Sequence, residues 1–183
     1  MEFPYETGKV SPAEFWENFR NKLGVKMAAR EIQNMFLNSY VVNFPMLEYA
    51  KELKKKYKLI LLTNSYEDMF DFLKSKYQLE EYFDFLFSSS DIKDKKPNTK
   101  IYKFVLNRLG ISPKEAVFID DKEKNMKGAQ QVGIRAILFS DVERLKREIQ
   151  NEQFNRLKSN SEELYRSIGE IYCPYFKEKI IFN

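Results

Sequence analysis

Apolar residues fall along this chain in two regimes. Over roughly the first forty residues they recur at helical spacing. Ser11-Pro12-Ala13-Glu14 has the form of a helix start, with Ser11 as N-cap, Pro12 in the first turn and Glu14 closing a capping box. Phe15, Trp16, Phe19 and Leu23 follow on one face, and Gly24 ends the run. A second helix is predicted over about Ala28 to Tyr40, with Ile32, Met35, Phe36 and Tyr40 along one side.

After Pro45 short runs that are apolar throughout alternate with helical stretches. Lys58-Leu59-Ile60-Leu61-Leu62, Phe83-Asp84-Phe85-Leu86-Phe87, Ala116-Val117-Phe118-Ile119 and Arg135-Ala136-Ile137-Leu138-Phe139 read as strands. Helices are predicted over Met46–Tyr57, Tyr66–Lys76 and Asn98–Leu109, and around Asn125, Met126 and Ala129. Continuously apolar strands separated by helices imply a parallel sheet covered on both faces. The fold class expected is therefore α/β, a doubly wound parallel sheet over about residues 45–150, with a helical segment over 1–44. Residues 142–168 read as a long polar helix broken near Ser159-Asn160-Ser161, which leads out of the sheet domain into an extension over 151–183 with an aromatic loop from Tyr172 to Phe176 and a last strand, Lys179-Ile180-Ile181-Phe182-Asn183.

Composition narrows the chemistry. The 183 residues are 43% hydrophobic and 32% charged, which suits a folded globular chain. A net charge of +4 is too small to imply nucleic acid, and the abundant aromatics sit at core-facing positions that packing explains. There is no histidine, which removes Ser-His-Asp hydrolysis and His-liganded zinc. The lone Cys173 fits a reducing compartment, and neither a signal peptide nor a span of about 20 apolar residues is visible, so a soluble cytoplasmic protein is expected. Neither GxGxxG nor GxxxxGK[ST] occurs. Carboxylates, hydroxyls, amides and lysines remain.

In parallel α/β sheets ligands bind at the carboxyl ends of strands. Three polar groups stand there. Asp120-Asp121 pairs two carboxylates that repel each other, a conflict that a hard cation such as Mg²⁺ removes; helix capping is the alternative. Thr63-Asn64 offers a hydroxyl, an amide and backbone N–H groups able to hold an anion, or again a cap. Lys93-Asp94-Lys95-Lys96-Pro97 offers a cation to offset anionic charge, or merely a solvated loop.

The order LILLTNS, KKPNTKIYKFVLNRLGISP, AVFIDDKEKNMKGAQQVGIRAILF resembles the haloacid dehalogenase (HAD) superfamily of hydrolases, in particular its helical-cap branch rich in small-molecule phosphatases. The resemblance covers about residues 8–140. It implies a Rossmann-like core with a partial helical cap and Mg²⁺-dependent hydrolysis of a small phosphate monoester, with neither nucleic acid nor membrane as partner. By this resemblance Thr63 binds a phosphoryl oxygen, Asn64 orients it, Lys96 offsets charge, and Asp120 and Asp121 hold Mg²⁺. The family's first motif, a strand ending in Asp-x-Asp whose first aspartate is the nucleophile, has no counterpart: the sequence contains no Asp-x-Asp. Little or no turnover is therefore expected of this chain. A non-catalytic relative that binds a phosphorylated ligand or a protein is the alternative.

In that family the missing strand is the central one. Its place is expected to reflect, first, a chain that starts too late; second, occupation by residues 179–183, with Asn183 where the nucleophile would stand; third, a strand from another chain.

Overall fold

A computed structural model describes residues 5–151 and the backbone of 179–182. Helix α1 (Pro12–Leu23) begins where Ser11 accepts the N–H of Glu14 and ends at Gly24, whose left-handed φ of 65° suits glycine. Helix α2 (Ala29–Ser39) packs beside it. The expected apolar face of α2 is rotated: Leu37 is the buried residue, whereas Met35 is 64% exposed. Helical spacing locates an apolar stripe but not the neighbour that covers it.

The core opens with α3 (Phe44–Lys54) and β1 (Lys58–Thr63). It continues through α4 (Glu67–Lys76), β2 (Phe85–Ser88), the short α5 (Ser89–Ile92), α6 (Thr99–Leu109), β3 (Ala116–Asp120), α7 (Glu123–Gln130) and β4 (Arg135–Leu138). Helix α8 covers 142–151. The remainder of the predicted long helix, the Tyr172–Phe176 loop and Asn183 lie outside the described residues.

The sheet order is β2-β1-β5-β3-β4, and every pairing is parallel. The centre is β5 (Lys179–Phe182), the last strand in the sequence. It pairs on one side with β1, Leu61 opposite Phe182, and on the other with β3, Ile119 opposite Phe182. The strand placement of the second expectation is thus the one observed, over residues 179–182 only. With β5 in place, the backbone N–H and C=O groups of β1 and β3 that face one another find partners, which a buried gap would deny them.

Alternate side chains of each strand point to opposite faces. Leu59 of β1 and Val117 and Ile119 of β3 meet Leu47, Ala50 and Leu53 of α3 and Leu145 and Ile149 of α8. On the other face Ile60, Leu62, Phe118 and Ala116 meet Ile101, Tyr102 and Val105 of α6 and Ala129 of α7. No helix among the described residues is long and apolar enough to cross a membrane.

Candidate functional site

One residue from each of the three polar groups expected at strand ends joins a single cluster, in which Asn64 and Asp120 both hydrogen-bond to Lys96. No hydrogen bond among the described residues joins Thr63 or Asp121 to Lys96. Lys96 is 2% exposed, so the charge run around it is not simply a solvated loop. Its Nζ donates to the carbonyl oxygen of Leu62, at the end of β1, at 2.6 Å and to Asp120 Oδ2, at the end of β3, at 3.0 Å. Both partners of that ion pair are almost wholly shielded from water. Burial pulls the Lys96 ammonium down to about 8, and the Asp120 carboxylate beside it opposes part of that pull.

Asn64 fixes the backbone that carries Lys96. Its side-chain Nδ2 donates to the Lys96 carbonyl and its Oδ1 accepts the Lys96 N–H, each at 2.9 Å. Asn64 therefore acts as a clamp between two loops and not as the cap of α4, whose N-cap is Tyr66. On the far side, α7 comes close because residue 128 is glycine: a Cβ there would stand 2.2 Å from the Pro97 carbonyl oxygen.

Asp120 accepts three hydrogen bonds besides the one from Lys96. Its Oδ1 accepts the Lys122 N–H at 2.8 Å, and Asn125 Nδ2 donates to Oδ1 at 2.9 Å and to Oδ2 at 3.0 Å. The bond from the Lys122 N–H is the cap-like contact that sequence offers as the alternative for this carboxylate. Asn125, 2% exposed, belongs to the Asp-Asp-x-x-x-Asn block that carries the resemblance, but sequence alone assigns it no role. Its spacing of five after Asp120 was visible, but its hydrogen bonds depend on how α7 leaves β3. Tyr102 donates to its carbonyl at 2.7 Å, and burial raises the Tyr102 hydroxyl well above the usual tyrosine range, so it stays a donor.

Asp121 is exposed beside this cluster. The donors at the end of β3 are all oxygen: two adjacent carboxylates, plus Asn125 Oδ1, a buried atom with no hydrogen-bond partner. That set suits a hard divalent cation, which favours carboxylate oxygens and completes its shell with water or phosphate. No group of three or more His, Cys, Asp or Glu residues that could hold a metal occurs among the described residues. Thr63, half-buried, ends β1 and lines a cavity of about 260 Å³ with Ser65, Leu61, Phe70 and Leu79.

Residues 10–139 match the family described as haloacid dehalogenase-like hydrolase. Among curated relatives, rat (Rattus norvegicus) bifunctional epoxide hydrolase 2 is 33% identical over 150 residues, 79% of this chain and 26% of that protein. The chain spans about a quarter of the length of this relative and of its pig and mouse counterparts. D-ribitol-5-phosphate phosphatase of Bacteroides thetaiotaomicron is 27% identical over 70% of this chain and 66% of its own. Among solved structures, a HAD family enzyme from Bacteroides thetaiotaomicron in a magnesium complex superposes with a TM-score of 0.72 at 30% identity, covering 79% of this chain and 78% of that one. The same enzyme with magnesium and inorganic phosphate gives a TM-score of 0.69 at 30% identity over 75% of this chain and 73% of its own. By sequence and by fold, the chain belongs to the haloacid dehalogenase-like hydrolase family.

Proposed function

We propose that this chain carries a site for a small phosphate monoester and Mg²⁺, of the kind used for phosphate ester hydrolysis, and that as it stands it binds such ligands with little or no turnover. The carrying observation is the buried Lys96–Asp120 pair, clamped by Asn64 at the carboxyl ends of β1 and β3.

The roles follow from the chemistry of each group. Thr63 supplies a hydroxyl to a phosphoryl oxygen, next to backbone N–H groups at the start of α4, where the helix dipole favours an anion. Asn64 holds the Lys96 loop in register with β1 and so sets where the ammonium sits. Lys96 offers charge-assisted hydrogen bonds in a dry setting, where they count for more than in water. Asn125 and the Lys122 N–H hold Asp120 in one orientation. Asp120 and Asp121 would hold Mg²⁺, which when bound polarises and neutralises a transferring phosphoryl group. The sequence supplies no Asp-x-Asp, so no carboxylate is assigned to form a phosphoryl–enzyme bond.

That same absence favours a second reading, a relative that binds a phosphorylated ligand without hydrolysing it. A cytoplasmic setting is proposed with either reading, supported by the single cysteine. Calorimetric titration with inorganic phosphate in the presence of Mg²⁺, alongside a p-nitrophenyl phosphate assay, tests both. Saturable phosphate binding, lost in Asp120→Asn, is expected with no turnover. Absence of binding overturns the site. Metal-dependent turnover abolished by Asp120→Asn overturns the assignment of inactivity.

A further inference from the structure

A second carboxylate, remote from the Lys96 cluster in its partners, collects donors from the N-terminal helices. Asp68 lies in the first turn of α4, on the core. Its Oδ1 accepts the Tyr5 hydroxyl at 2.6 Å and the Met69 N–H at 2.9 Å. Its Oδ2 accepts Trp16 Nε1 at 2.8 Å and Gln33 Nε2 at 2.6 Å. Three of those donors come from three successive elements: the segment before α1, α1 itself, and α2. No other described core side chain hydrogen-bonds to both helices.

The donors are committed to it. Tyr5 is 2% exposed and Trp16 is 3% exposed, so neither can turn to water if Asp68 is lost. The Tyr5 ring is stacked between Phe15 at 3.9 Å and Tyr66 at 4.4 Å, which aims its hydroxyl. Burial and the neighbouring carboxylate raise that hydroxyl far above its ordinary range, so it remains a donor. The adjoining residue, Glu6, ties the same segment down near the site: its carbonyl accepts Ser89 Oγ at 2.6 Å and its carboxylate pairs with Lys95 at 2.9 Å. Ser89 Oγ in turn accepts the N–H of Ser65, two residues after Thr63.

We propose that Asp68 is the latch that holds the two N-terminal helices and the segment before them closed against the loops following β1 and β2. It acts as a positioning residue, through Tyr5, Trp16 and Gln33, and the latch does not depend on what the site binds. When it is broken, α1 and α2 part from the core while the sheet stays folded.

Trp16 is the only tryptophan in the chain, so its fluorescence reads the latch directly. In the full chain, Asp68→Ala is expected to raise acrylamide quenching of Trp16 at least threefold and to shift its emission to longer wavelength, with the circular dichroism of the core retained. Asp68→Asn, which keeps one accepting oxygen, is expected to fall between. Unchanged quenching in folded Asp68→Ala overturns the proposal, because aromatic packing then holds the helices without the carboxylate. Should Asp68→Ala fail to fold, the double variant Tyr5→Phe with Gln33→Leu, which leaves the core untouched, decides: raised quenching supports the latch and an unchanged value overturns it. Phosphate affinity measured on the same wild-type sample keeps the two proposals apart, since loss of phosphate binding refutes the site and leaves the quenching result standing.

Discussion

Two carboxylates organise this molecule, and they do so with different partners. Asp120 is fully buried, faces an ammonium and sits where two strands end. Asp68 is half-buried and is surrounded by neutral donors: a phenol, an indole, an amide and a backbone N–H. A buried charge needs a counter-charge and full hydrogen bonding, and removing one member strands the other. Neutral donors around a carboxylate lose less when one departs, because the others remain. The first cluster therefore makes an all-or-none unit of the site, whereas the second makes a graded fastening that can open.

The largest effect should come from cutting what holds the Asp120 cluster together. Lys96 bridges Leu62 on β1 and Asp120 on β3, and those strands touch only through β5. Deleting residues 179–183 should abolish cooperative urea unfolding followed by circular dichroism. An unchanged sigmoidal transition would show that β1 and β3 hold their spacing without a central strand.

Next in size is the ion pair itself. Asp120→Ala leaves the Lys96 ammonium buried without a counter-charge and should cost about 3–5 kcal/mol of stability, read by urea unfolding. Tyr5→Phe, which removes one neutral donor from Asp68, should cost about 1 kcal/mol. Equal losses would erase the distinction between the two clusters. Replacing both Lys96 and Asp120 by Met and Leu should recover much of the stability lost in Asp120→Ala while leaving no phosphate binding.

A smaller loss is expected at Gly128. Alanine is the better helix former by about 1 kcal/mol, so an unconstrained site would gain. Here the added Cβ meets the Pro97 carbonyl at 2.2 Å, and the backbone after Lys96 must move. Gly128→Ala should cost about 1–3 kcal/mol, typical of overpacking, and weaken phosphate binding measured by calorimetry. The Trp16 emission should stay as in the wild type, since the hydrogen bonds to Asp68 come from Tyr5, Trp16, Gln33 and Met69 and not from α7.

These clusters also mark how much the sequence discloses. The strands ending at Thr63 and Asp120 announce themselves because they are apolar throughout and each runs into a polar group, a local pattern. Thr63, Asn64, Lys96, Asp120 and Asp121 could be picked out from such strand ends and from their order. The strand at 179–182 was equally legible as a strand, but its place in the sheet was not. Position depends on which edges are left unpaired, and that is a property of the whole fold. The contacts of Asn125 and the role of Asp68 escape the sequence for a related reason. Asp68 gathers Tyr5, Trp16 and Gln33 from 63, 52 and 35 residues away, and no spacing rule links positions so far apart.

The subtlest way to separate the clusters is pH. Lys96 is held at about 8 in the fold, against its ordinary 10.5 when the chain is unfolded. Between those values the unfolded chain binds the extra proton, so this group's contribution to stability rises with pH there; below about 8 the cost of burying the ammonium is fully present. Anion binding should move the other way, because the neutral amine no longer attracts a phosphate. In metal-free protein with chelator present, phosphate affinity should therefore fall as pH rises through about 8, while the urea midpoint holds steady or climbs slightly. At the Asp68 cluster the Tyr5 hydroxyl is pushed above its ordinary range and stays a donor in this window. Trp16 quenching should accordingly stay flat from pH 7 to 9. A fall in phosphate affinity only near pH 10 would mean that Lys96 is better hydrated than its surroundings imply. A parallel change in Trp16 would mean that site and latch are one unit after all.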